Sequence, residues 1–112
     1  MKKTITGVAI ALGLAVGVAS AATLNSSQIG SSCEGGGDWH FVNNRTGGAT
    51  TGTFTAVIGG ETYILGPSDV NANMMHFWIY GAAGTLTSAS TNLPGGLQLS
   101  QLICEKKEDT PK

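Results

Sequence analysis

From Trp39 onward, apolar and polar residues alternate in short runs, and only the last segment, from Leu97, also fits helical spacing. In Thr53-Phe54-Thr55-Ala56-Val57-Ile58, the residues Phe54, Ala56 and Ile58 fall on one side of an extended chain and Thr53, Thr55 and Val57 on the other. That is the period-two pattern of a half-buried strand. The pattern predicts strands near Trp39 to Asn43, Gly52 to Ile58, Glu61 to Leu65, Met74 to Tyr80, Thr85 to Ser90 and Leu97 to Ile103, with Gly, Asn and Pro between them as in all-β chains. Gly59-Gly60 joins two of these runs, and two residues that accept positive φ suit a tight hairpin. Gly66-Pro67-Ser68-Asp69, Gly81-Ala82-Ala83-Gly84 and Asn92-Leu93-Pro94-Gly95-Gly96 supply the later turns. The segment from Leu97 fits two templates, because Leu99, Leu102, Ile103 and Lys106 keep helical spacing while Leu97, Leu99, Gln101 and Ile103 fit a strand. A closing strand is favoured, since it brings Cys104 beside Cys33. The expected fold is all-β, a small antiparallel β-sandwich of six strands, or seven if the segment before Cys33 adds one.

The first 21 residues have a different pattern. Lys2 and Lys3 precede an apolar run from Ile5 to Val18, and Ala19-Ser20-Ala21 is a small-x-small cleavage triplet, so the segment reads as an export signal of bacterial style. The apolar run is shorter than the roughly 20 residues that span a bilayer. The expected organisation is a signal over 1–21, a flexible leader or edge strand over 22–32, one β domain over 33–104 and a charged flexible tail over 105–112. The predicted location is outside the cytoplasm: extracellular, cell surface or periplasm. In such an oxidising compartment the two cysteines, Cys33 and Cys104, read as one disulfide. They have no C-x-x-C spacing that would favour a metal or redox pair.

Cys33 followed by Trp39-His40-Phe41-Val42, then Ser88-Ala89-Ser90-Thr91-Asn92, then Leu97-Gln98-Leu99-Ser100-Gln101-Leu102-Ile103-Cys104, resembles a small domain of exported bacterial surface proteins. That domain opens with a cysteine and a WHFV-like strand and closes on an L-x-L-S-H-x-x-C-like strand. The resemblance implies an immunoglobulin- or fibronectin-like sandwich stapled from first strand to last, usually with no assigned activity. The chain departs from the pattern at Gln101, where the family has His.

Charge narrows the function. Outside the signal the basic residues are Arg45, Lys106, Lys107 and Lys112, against seven acidic ones. Nucleic-acid and anionic-membrane binding both need clustered cations, so neither partner is expected. Catalysis also lacks a basis. No serine sits in a G-x-S-x-G elbow, and Ser68, Asp69 and His76 make a triad only on paper, because triads are defined by geometry. Glu34-Gly35-Gly36-Gly37-Asp38 lacks the following helix of a phosphate loop and reads as a mobile loop. The chain is therefore expected not to be an enzyme and to need no cofactor.

The strand Met74-Met75-His76-Phe77-Trp78-Ile79-Tyr80 carries the most information. With Met75, Phe77 and Ile79 facing inward, His76, Trp78 and Tyr80 form an aromatic stripe on the other face. Rigid, polar-tipped rings suit contact with a sugar or a protein partner. The leading expectation is a non-catalytic module that binds or assembles at the cell exterior, with a protein, a glycan or a second copy as partner. An alternative is a small copper-binding protein using His40, His76 and either Met74 or Met75, since imidazole and thioether groups suit copper. It requires His40 and His76 on neighbouring strands and the same face.

Overall fold

The computed structural model describes residues 21–105; the signal through Ser20 and the tail from Lys106 lie outside the described residues. Six strands follow in order: β1 Ser32–Asn44, β2 Phe54–Ile58, β3 Glu61–Leu65, β4 Asp69–Asn71, β5 Met74–Thr91 and β6 Gly96–Cys104. All pair antiparallel in one sheet of order β3-β2-β5-β1-β6, with β4 beside the start of β5. The segment from Leu97 is a strand, and the Cys33–Cys104 disulfide joins the first strand to the last across a sequence separation of 71. Such a bond fits an oxidising, extracytoplasmic environment. No helix among the described residues is long and apolar enough to cross a membrane.

The strand β5 organises the molecule. Its first part pairs with β1 from Met74 to Thr85, and its second part pairs with β2 from Leu86 to Thr91. The sheet thus has two arms that fold over one core. Phe41 and Phe77 are directly paired on one arm, and Phe54 of the other packs against both at ring distances of 4.7 and 4.9 Å. Trp39, Ile58, Met75 and Leu86 complete this core, and the buried Trp39 indole donates to the Ala82 carbonyl at 3.0 Å.

Three local expectations are corrected. Gly81 to Gly84 does not end a strand: the chain runs through it, with φ of 74° at Gly81 and 117° at Gly84, so glycine bends β5 while the ladder continues. Gly84 lies against the β2–β3 hairpin, where a Cβ at Gly84 would sit 2.4 Å from the Cα of Gly59. Next, Ser68-Asp69 was expected as a turn, but Asp69–Asn71 pairs with Met74 to His76 as β4. Finally, Glu34 to Asp38 belongs to β1, with register shifts on either side of Gly37. A Cβ at Gly37 would lie 2.7 Å from the Cys33 sulfur, so the glycine leaves the space that the disulfide occupies.

The leader is seated against the sheet. Leu24 donates to the Ala89 carbonyl, Thr91 donates to that of Ala22, and single bridges link Thr23 to Ser90 and Leu24 to Leu97. Ala22 and Leu24 are buried in the core. Gln28, which ends a short 3-10 turn, uses both ends of its amide on the Leu99 backbone, donating at 2.9 Å and accepting at 2.8 Å. A side chain here takes the place of a neighbouring strand on part of the β6 edge.

Candidate functional site

The register of β1 on β5 sets the outer face. Trp39, Phe41, Phe77 and Ile79 point inward, so the residues between them point out: His40 lies opposite Trp78, and Val42 opposite His76. The two histidines are on neighbouring strands and one face, as a joint site requires. Three ring systems stand parallel there. His40 stacks on Trp78 at 4.3 Å with 5° between planes, and Trp78 stacks on Tyr80 at 5.5 Å with 2°. Tyr80, at the end of the row, is 69% exposed.

The planes of the His40 and His76 rings are nearly parallel, 12° apart, with Nε2 of His40 3.0 Å from Nδ1 of His76. Asn71 on β4 places its side-chain nitrogen 3.3 Å from Nε2 of His76. An amide nitrogen only donates, so Nε2 of His76 accepts and its proton sits on Nδ1. That proton is donated to Nε2 of His40, which leaves the His40 proton on Nδ1. The relay runs from Asn71 to His76 to His40. Burial, followed by the charge of His76, holds the His40 pKa below the usual imidazole value. A proton added at the shared contact would set two N–H groups face to face.

This geometry sorts the residues singled out from the sequence. His76, Trp78 and Tyr80 share the outer face with His40. Met74 shares it too and is 40% exposed, whereas Met75 is fully buried in the core beside Phe77 and cannot reach a metal held by the histidines. Both ring nitrogens of His76 already have partners, and neither partner is a hydroxyl. Asp69 is the register partner of His76 across β4, and no group of three His, Cys, Asp or Glu side chains converges as a metal site among the described residues. Sequence reasoning missed Asn71, which fixes the His76 tautomer, and it noted Gln101 only as a departure from the family pattern, whereas Gln101 lies opposite His40 on β6. Asn71 was hidden because three residues are too few to display a strand period; its one signal was that Asp69 and Asn71 flank Val70.

No family model matches the chain, nor does any curated protein or solved structure.

Proposed function

We propose that this chain is a non-catalytic, exported bacterial domain that binds a partner at the cell exterior through the Trp78–Tyr80 face. The observation that carries the reading is the row of three parallel rings, locked by a cross-strand stack on one flank and ending in an exposed tyrosine. Rings held in one orientation by the sheet lose little entropy on binding, which is how aromatic anchors gain affinity. The signal-like first 21 residues and the disulfide support the exported location. The test is a screen of cell-surface glycans and envelope proteins against the wild-type chain and Tyr80→Ser. Tyr80 is outside the core, so the substitution should leave the fold intact and abolish the captured ligand. A ligand held equally by both forms would place binding elsewhere.

A second reading rests on the paired imidazoles beside Met74. Copper would displace the shared proton and draw on His40, His76 and Met74. Copper titration followed by calorimetry distinguishes the two: binding lost in His76→Gln supports the metal reading, and no heat at micromolar metal excludes it.

A further inference from the structure

A recess of about 390 Å³ opens where β1 ends and β6 begins, beside the 3-10 turn of the leader. Leu97 is the only large apolar side chain in its wall; the others include Asn25, Ser27, Asn44, Arg45 and Gln98. Arg45 is the only lysine or arginine among the described residues, and no acidic side chain lines the recess. Its guanidinium reaches Gly96, where an added Cβ would lie 3.4 Å from the terminal nitrogen.

The wall has mostly donors to offer. Oδ1 of Asn25 already accepts from the Ser27 backbone at 2.9 Å, and Oδ1 of Asn44 accepts from the Gly96 backbone at 3.2 Å. Gln28 has both amide ends committed to Leu99. What remains is the NH₂ of Asn25, the NH₂ of Asn44 and the fork of Arg45, joined by the adaptable Gln98 amide and Ser27 hydroxyl. Arg45 also sits at a φ of 53°, the one described non-glycine residue with positive φ. Gly or Asn adopts this left-handed backbone more readily than Arg. The position therefore favours a residue other than the one it has, and the side chain is what arginine adds.

We infer that this recess binds one carboxylate-bearing sugar residue, with the carboxylate on the Arg45 fork and the hydroxyls on the surrounding amides. A planar fork pairs with a carboxylate in two parallel hydrogen bonds. The volume falls at the small-ligand end of binding cavities and exceeds what a bare anion fills. A peptide would bring its own N–H donors to a wall whose carbonyl acceptors are largely spent. The site does not depend on the aromatic face.

The test is a titration of the isotopically labelled, disulfide-intact chain with D-glucuronate, D-glucose, acetate and inorganic phosphate, read by amide and arginine NMR signals. Glucuronate should shift the side-chain signals of Asn25, Asn44, Gln98 and Arg45, and should bind at least about tenfold more tightly than glucose or acetate. Arg45→Asn keeps a residue that accepts the left-handed backbone, so its spectrum should stay dispersed while the glucuronate shifts vanish. Arg45→Lys keeps the charge without the fork and should bind more weakly than wild type. Equal binding of acetate or phosphate, shifts centred on Trp78 and Tyr80, or undiminished binding in a folded Arg45→Asn would each overturn the inference.

Discussion

Asn43 is fully buried at the end of β1, and replacing it with alanine should be among the most costly single changes in the domain. Its side-chain nitrogen lies 3.1 Å from the carbonyl of Asn44, 3.1 Å from that of Pro94 and 3.0 Å from that of Gly96. Its oxygen accepts from the Thr91 hydroxyl, whose own oxygen accepts from the Leu93 backbone at 3.2 Å. One amide thus fastens the link between β5 and β6 to β1. Alanine removes two donated protons and one accepted bond, each worth about 1 kcal/mol net, and leaves carbonyls without partners at roughly 1–3 kcal/mol for any that water cannot reach. Pro94 is exposed, so water recovers part of this. The expected loss is about 3–5 kcal/mol, equivalent to a fall in Tm on the order of 20 °C for a domain of this size. Urea unfolding followed by the fluorescence of buried Trp39 measures it. Thr91→Val should cost about 1–2 kcal/mol alone, and the double variant should cost less than the sum because the two share a bond. Asn43→Asp gives a signed check. A carboxylate facing three carbonyls has its pKa raised above the ordinary carboxyl value, so the folded variant binds protons more readily than its unfolded chain and gains stability as pH falls. A loss below about 0.5 kcal/mol in Asn43→Ala, the range of an indifferent surface change, would refute the reasoning.

Replacing both cysteines with alanine removes a cross-link over 71 residues, for which the chain-entropy model gives about 4 kcal/mol; urea midpoints of the two forms measure it, and a difference under about 1 kcal/mol would show that the unfolded chain is restrained by other means. His40 resists protonation in the fold while the unfolded chain takes a proton near pH 6.5, so stability should begin to fall as pH drops through that value and continue falling toward the lowered folded pKa; His40→Gln should flatten this dependence, and an unchanged slope would assign it to another group. Leu24→Ala should destabilise the domain by roughly 2 kcal/mol, measured by thermal unfolding, because Leu24 is buried in the core and its backbone is tied to Ala89 and Leu97; a neutral result would mean that the leader is not seated in solution.

The parts of the fold that were legible depend on neighbours in sequence. In the Gly59-Gly60 hairpin both glycines take positive φ, 61° and 82°, and Ile58 pairs with Glu61 as a two-residue loop demands. Phe54, Ala56 and Ile58 are buried together, as their alternation required. The illegible parts depend on distant residues. Gly81 to Gly84 has the composition of a turn, and the same residues bend a continuous strand because Gly59, on the β2–β3 hairpin, leaves room for Ala83 and Gly84. The leader has two apolar residues within a small polar stretch, too few to announce burial. What seats it is the unpaired flank of β5 beside Leu86 to Thr91, which exists only once β2 has taken the other flank.

The same division applies to the candidate site. Alternation along β5 was enough to put His76, Trp78 and Tyr80 on one face, and it already separated Met75 from them, since Met75 shares its parity with Phe77 and Ile79. Of the two methionines open to the copper reading, only Met74 shares the parity of His76. Which residue of β1 meets Trp78 was not readable, because the register shifts on either side of Gly37 fix how far β1 slides along β5. A slip of one residue would bring Trp39 out against Trp78 and bury His40 in its place. The stack, the histidine relay and the buried Trp39 therefore stand or fall on the two register shifts that flank Gly37, and a glycine sits between them because the disulfide packs where a side chain would go.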